Sequence, residues 1–268
     1  DVALTGNIPT DGAYKPEVKY FIYSSGKATA VFCDGVYLGS YNAHEGTDGA
    51  YGTVSLNSIF LKKGSDFEGS LKLIGINGNE QSPITVSSYG EGAKPRINGC
   101  DTQDGGVIYI ENCTYITVSD LDVCDTATYE AERRGVYIYG TRGESLSGIT
   151  LDGIYVHHIR GIDNSENSGA IIAECDDKAN FDSLTIKNCY ITDTDGVGIS
   201  VVGGSSSSHT NTFISSNRIS EVKGSGVYMS NLLGGECIDN VALDVFGEGG
   251  FVTESLSNTL IQGNEAYK

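Results

Sequence analysis

From about residue 100 onward, apolar and polar positions recur in one fixed phrase. A Gly precedes a short apolar strand at Gly106-Val107-Ile108-Tyr109, Gly135-Val136-Tyr137-Ile138, Gly169-Ala170-Ile171-Ile172, Gly198-Ile199-Ser200-Val201, Gly226-Val227-Tyr228-Met229 and Gly250-Phe251-Val252-Thr253. The first apolar residues, at 107, 136, 170, 199, 227 and 251, are spaced 29, 34, 29, 28 and 24 residues apart. Spacings in this range signal a solenoid, and their variation means loops of variable length on a constant core. The strands starting at Val107, Val136, Ala170, Ile199, Val227 and Phe251 are therefore predicted to form one parallel ladder.

A second segment lies between each pair of these strands: 116–123, 149–156, 184–191, 212–219 and 236–243. Its apolar residues run in-out-in, then two outside, then in-out-in. In a flat sheet that break would turn the second half over. In a coil it marks a bend between two short strands that face one interior. The spacings of three and four that an amphipathic helix needs are missing. One coil cannot bury its own inner face, but coils stacked about 4.8 Å apart pair each strand above and below and join the apolar columns into one core. The predicted fold is all-β, a right-handed single-stranded parallel β-helix. Asn217 falls in an inward column with Leu121, Ile154, Cys189 and Val241, shared by Asn264, and is predicted to be a corner amide bonded to turn backbone.

The N-terminal part is less regular. Residues 20–23 and 28–32 read as strands, Asp34-Gly35 as a hairpin turn, and 54–62 as a short helix or strand. Residues 1–57 are assigned as a cap over the first open end of the core, and 58–268 as coils. The pattern stops in mid-coil at Ile261–Lys268, which predicts self-association at that coil or a continuation in a longer protein.

Composition narrows the picture. The chain has 36 Gly, 4 Pro and no Trp, which suits many tight turns. No apolar run approaches the roughly 20 residues of a membrane span. With 17 basic and 35 acidic residues the net charge is −18, which repels nucleic acid, and repels a polyanionic sugar unless a cation bridges them. Seven Cys include no CxxC pair, and the odd count forbids complete internal pairing. Those at inward positions act as small hydrophobes, Cys189 the clearest buried free thiol.

The stretch Ser82–Gly99 resembles one found near the start of many secreted bacterial β-helix proteins, and Gly148–Gly161 resembles a coil of the pectate-lyase-like superfamily. The resemblance covers roughly residues 54 to 268. It implies a secreted or cell-surface protein with a polysaccharide partner. The superfamily holds lyases, glycoside hydrolases, epimerases, tailspike depolymerases and non-catalytic sugar binders, and the sequence has neither a Gly-His-Gly nor an Arg-Ile-Lys motif. The fold alone does not select one reaction.

Three outward columns carry candidate chemistry: Asp125, His158, Asp193 and Glu221; Arg160, Asp195 and Lys223; Asp122, Tyr155, Tyr190 and Arg218. All lie near the variable loops 126–134 and 162–168. Stacked carboxylates repel, so Asp125, Asp193 and Glu221 are expected to share a hard cation, Ca²⁺. In lyases of the resembled superfamily calcium neutralises the uronate while an Arg or Lys removes the adjacent proton, which implies that role for Arg160, Lys223 or His158. Asp193 and Asp195 offer the competing two-carboxylate hydrolysis. The catalytic candidates are thus His158, Arg160, Asp195 and Lys223. Tyr155, Tyr190 and Arg218 are expected to bind substrate, though cross-strand Tyr pairs also simply stabilise sheets. The expected function is a lyase or glycoside hydrolase acting on a polysaccharide. The alternatives are a non-catalytic polysaccharide-binding or surface protein, and a trimeric tailspike fragment.

Overall fold

A computed structural model describes residues 58–268 apart from Asp104, Arg142, Glu144, Asp177 and Ser205, and ahead of them the backbone strands Val2–Ala3, Tyr20–Ser25, Ala28–Cys33, Val36–Tyr41 and Thr53–Val54. The coils build a right-handed parallel β-helix with three faces. The first face stacks Leu71–Ile74, Ile108–Glu111, Arg134–Gly140, Gly169–Cys175, Val197–Val202, the start of Val227–Ile238, and Phe251–Ser257. The second stacks Ser58–Lys62, Ile84–Tyr89, Ile116–Ser119, Thr150–Asp152, Thr185–Lys187, His209–Ser215, the end of Val227–Ile238, and Leu260–Gln262. The third is an eight-stranded sheet running from Asp66–Glu68 to Glu265–Tyr267. Among the described residues no helix is long and apolar enough to cross a membrane.

The first face is one parallel ladder, with a register slightly different from the predicted one. Ile108 pairs with Val136, Val136 with Ile171, and then Ile199, Val227 and Phe251 follow in line. Val107 and Ala170 therefore sit one position early. The preceding corner is too close for side chains in most coils: a Cβ on Gly198 would lie 2.5 Å from the Gly226 carbonyl oxygen and 2.7 Å from Ile219 Cγ2. Gly169 belongs one position before that glycine column, opposite Arg134 and Val197, so taking it as the marker shifted the count.

The bend between the second and third faces has a simple rule. One residue turns left-handed (Asp120, Gly153, Asn188, Ser216, Asp239 and Gly263, φ between 53° and 66°), and the next points inward. Asp, Asn and Gly suit that conformation because they reach it at least steric cost. The inward column reads Leu121, Ile154, Cys189, Asn217, Asn240 and Asn264; Val241 lies one residue on, opposite Arg218. The expected corner amide is thus a ladder of three. Asn217 Oδ1 accepts from the Cys189 N–H at 2.9 Å and its Nδ2 donates to the Ile186 carbonyl at 2.9 Å. Asn240 Oδ1 accepts from the Asn217 N–H at 3.0 Å, and Asn264 Oδ1 from the Asn240 N–H at 2.9 Å.

Upstream, Tyr20–Ser25, Ala28–Cys33 and Val36–Tyr41 form an antiparallel meander whose last strand meets Ser58–Lys62 at Tyr37 and Phe60. The Asp34-Gly35 turn lies outside the described residues. Residues 58–62 are strand rather than helix. Cys100, Cys113, Cys124, Cys175, Cys189 and Cys237 are free thiols, and burial raises the Cys189 thiol to about 12.

Asn240→Ala should destabilise the fold by roughly 2–4 kcal/mol in urea unfolding, because the buried Asn217 N–H loses its acceptor. Asn264→Ala, at the half-exposed end of the ladder, should cost less.

His209 is fully buried against Phe181, its Nδ1 accepts the Phe181 N–H at 3.2 Å, and its Nε2 has no partner. Burial depresses its pKa from 6.5 to about 4. The unfolded chain thus takes up this proton first as the pH falls. Stability from His209 should be complete above about pH 6.5 and decline toward pH 4, by roughly 3 kcal/mol in total. His209→Asn, which keeps an acceptor but does not titrate, should flatten that window in melts between pH 4 and 7.

Candidate active site

The third face carries the columns singled out in the sequence. Asp122, Tyr155, Tyr190 and Arg218 are in register, and Tyr155 and Tyr190 stack at 5.2 Å with an 11° interplanar angle. Past them the strands bulge. His158, Asp193, Glu221 and Asp244 adopt left-handed backbone (φ 50° to 55°), so the residue after each resumes the inward column. The strand Asp122–Asp125 lacks that extra residue, and Asp125 pairs with Ile159 instead of His158. Asp125 therefore leaves the outward acidic column. It is fully buried and accepts the N–H groups of Asp101 and Thr102 at 2.8 Å each and of Ala127 at 3.1 Å.

The remaining members form a closed charge network. Arg160 grips Asp193 with both guanidinium nitrogens at 2.9 and 3.2 Å, and His158 Nε2 stands 3.4 Å from the same carboxylate. The Arg160 hydrogen bond holds Asp193 below the usual carboxylate range. Buried Asp195 meets Lys223 at 3.0 Å and Arg160 at 3.6 Å, and Lys223 also reaches Asp163 at 2.8 Å. Hydrogen bonds to Asp163 and Asp195 push Lys223 up to about 12, and Asp193 likewise raises Arg160. Two cations held this firmly protonated are poor proton acceptors. Glu221 is exposed, and among the described residues no hydrogen bond or ion pair joins it to Asp125 or Asp193. The expected calcium triad does not fit. Asp125 is occupied by backbone donors and Asp193 by a guanidinium, and the three carboxylates do not gather their oxygens.

This network anchors a wall of loops. The strap 162–168 is tied down at Lys223 through Asp163, at Ser225 through Glu166 (2.8 Å), and at the Val197 N–H, which reaches the Ser165 and Ser168 carbonyls at 3.2 and 2.9 Å. The neighbouring loop 126–133 is held by fully buried Arg133, which bonds Asp101, the Tyr129 carbonyl at 2.5 Å and the Arg160 carbonyl at 2.8 Å. Hydrogen bonds from Tyr129 and Arg133 depress Asp101 to about 2.

Both loops border the outer side of the first face, where the sequence reading placed no site. Tyr109, Tyr137, Ile172, Ser200 and Tyr228 form one outward column; Glu111, Tyr139, Glu174, Val202, Ser230 and Glu254 form the next. Tyr109 stacks on Tyr137 at 5.5 Å, Tyr137 on Tyr139 at 5.4 Å, and the Arg134 guanidinium sits 4.3 Å above Tyr137. Each phenol that reaches a carboxylate donates to it: Tyr137 to Glu174 (2.5 Å), Tyr109 to Glu111 (3.1 Å), Tyr228 to Glu254 (3.0 Å). Three buried polar atoms bordering this surface have no partner: Arg134 Nε, Ser200 Oγ and Glu166 Oε2. Burial raises the Glu166 pKa, and the charges of Glu248 and Glu254 add to it while Ser225 opposes. Aromatic rings, fixed carboxylates and a carboxyl held toward its neutral form are a set suited to binding sugar rings and transferring a proton. The signal was legible one face over, in the alternation of Tyr and Glu at 109, 111, 137, 139 and 174.

Fold and surface together define an all-β solenoid with a walled aromatic and acidic face. No protein-family model matches the chain. It is 26% identical to a lacto-N-biosidase of Bifidobacterium longum subsp. longum over 54% of its own length and 13% of the relative's. The native GH136 lacto-N-biosidase from Eubacterium ramulus superposes with a TM-score of 0.69 at 18% identity, covering 78% of this chain and 45% of that one. Its selenomethionine derivative gives 0.64 at 19%, over 78% and 50%. The chain thus spans half or less of each of these lacto-N-biosidases, and the structural likeness shows a shared β-helix fold.

Asp163→Ala should release the strap from Lys223, which keeps its contact with buried Asp195. A glutamate-specific protease should then cut after Glu166 severalfold faster than in the parent chain or in Lys178→Met. The melting temperature should barely move, because half-exposed ion pairs contribute about 0–1 kcal/mol.

Proposed function

We propose that this chain forms the sugar-cleaving part of a glycoside hydrolase, with a neutral glycan lying across the aromatic and acidic first face. The observation that carries the reading is Glu166: a carboxyl on a tethered strap, half-buried, with one oxygen unpartnered and its pKa raised. A glycosidic oxygen leaves only when protonated, so the group that donates must still hold its proton near the working pH. Glu174, which accepts the hydrogen bond of the Tyr137 phenol, supplies the second carboxylate, to activate water or to attack the sugar carbon. The stacked tyrosines supply the platform for the ring.

The likeness to lacto-N-biosidases supports hydrolysis over elimination. So does charge. A lyase must neutralise a uronate, whereas this face sets Glu111, Glu166, Glu174 and Glu254 against Lys72 and the guanidinium of Arg134, itself paired with Glu132. A polyuronate would be repelled from it. Membership of the pectate-lyase-like superfamily is the finer reading of the sequence resemblance and does not alter this chemistry.

Assayed on a panel of neutral oligosaccharides, the chain should release reducing ends and no unsaturated products. Glu166→Gln should lower kcat by about 100-fold or more, in line with loss of a general acid, and should remove the alkaline limb of the pH profile, which should lie above the ordinary glutamate range. Unsaturated products, or an unchanged kcat in Glu166→Gln, would overturn the assignment.

A further inference from the structure

The third face holds a second constellation that the hydrolytic site does not use. Asp122 and Cys124 project from one strand and His157 from the next, where Cys124 and His157 are directly paired. A carboxylate oxygen, a thiol sulfur and an imidazole nitrogen lie within 4.8 Å of one another, and all three residues are buried. This is the only such convergent group of His, Cys, Asp and Glu among the described residues. It is a mixed set of sulfur, nitrogen and oxygen, which is the preference of zinc and its neighbours and not of calcium or magnesium.

The imidazole is aimed. Its ring stacks on Tyr155 at 4.4 Å, and its Nδ1 contacts Nδ1 of His158, which the left-handed bulge swings back across the strand. That contact directs Nε2 toward Asp122, 2.7 Å from Oδ1. A ligating histidine is ordinarily fixed in this way, through a hydrogen bond on its other nitrogen. Arg96 Nε lies 3.5 Å from Oδ2 of Asp122, which leaves Oδ1 for a metal. Tetrahedral bonds of about 2.0–2.3 Å place ligand atoms roughly 3.3–3.8 Å apart. The His157–Asp122 contact therefore has to open by under about 1 Å, within reach of side-chain rotation.

We propose that Asp122, Cys124 and His157 form a zinc-type transition-metal site on the eight-stranded sheet, with water completing the tetrahedron. Three protein donors are the number found in open zinc sites. The competing account is an Asp122–His157 pair beside an inert thiol, which binds no metal.

Cobalt(II) is the probe, because thiolate ligation gives it a near-ultraviolet charge-transfer band. Titration of the reduced full chain should produce that band with a one-to-one endpoint, and zinc should displace it. Cys124→Ser should lose the band and Cys100→Ser, at an exposed thiol, should keep it. His157→Gln and Asp122→Asn should weaken cobalt binding at least tenfold while circular dichroism stays that of the parent. Should Cys124→Ser not fold, the parent chain still decides. Zinc should raise its melting temperature, and magnesium at equal ionic strength should not, since only a ligand bound to the native state stabilises by mass action. No band in the parent chain, a band unchanged in Cys124→Ser, or equal melting temperatures in zinc and magnesium would overturn the proposal.

Discussion

Everything in this molecule depends on in-register parallel pairing between successive coils. Each strand donates to and accepts from the coils on both sides, as where Val197 N–H bonds the preceding coil and Ile199 N–H the following one, at a spacing of about 4.8 Å that the backbone fixes. A side chain is therefore confined to a column, and its nearest neighbours are residues one coil away. The inward columns are filled by Ile, Val and Leu with almost no exposed area, as at Ile110, Ile138, Val118, Leu151 and Ile186. Where the Asn217, Asn240 and Asn264 amides enter that core, they are satisfied by bonding one another and the turn carbonyls.

The same constraint made much of the fold legible. A repeat with a stable inward pattern fixes which residues share a column as long as no coil gains or loses a residue. Asp122, Tyr155, Tyr190 and Arg218 were aligned correctly for that reason, and so were Arg160, Asp195 and Lys223. Errors arose where a single residue was inserted or missing. Asp125 was misplaced because its strand lacks the left-handed bulge that puts His158, Asp193 and Glu221 outside. Val241 was misplaced because the coil from Ser215 to Ile238 spans 23 residues, one fewer than the 24 from 212 to 236 in the predicted alignment, which brings Asn240 into line with Asn217. Bulges and glycine corners leave only a weak mark on hydrophobic periodicity, since Asp, Asn, Ser and Gly all look like solvent-facing positions.

The candidate site was less legible than the fold, for a different reason. Charge is conspicuous in sequence, and the charged columns at the edge of the third face drew attention to themselves. Those groups turn out to satisfy one another: Asp193 with Arg160, and Asp195 and Asp163 with Lys223. Their product is a held strap. The groups left unsatisfied beside the first face, Arg134 Nε, Ser200 Oγ and Glu166 Oε2, are unremarkable in sequence and become visible only when burial and partners are known. A buried polar atom without a partner costs free energy, so its retention calls for a reason such as a ligand hydroxyl.

Strap and first face are also coupled in electrostatic terms. Lys223 and Arg160 neutralise the carboxylates at the outer root of the strap, so the net charge felt at Glu166 is dominated by Glu248 and Glu254. These like charges, with burial, favour the protonated form of Glu166, whereas Asp193 beside Arg160 is driven the other way. Two carboxyl groups near the same strap are thus pushed apart in proton affinity by which side of the wall they occupy. Such a split separates an acid from a spectator. It also explains why the acidity of the chain as a whole is compatible with sugar chemistry: a neutral glycan feels no repulsion from the −18 net charge, while the carboxylates around Glu166 are what keep its proton in place.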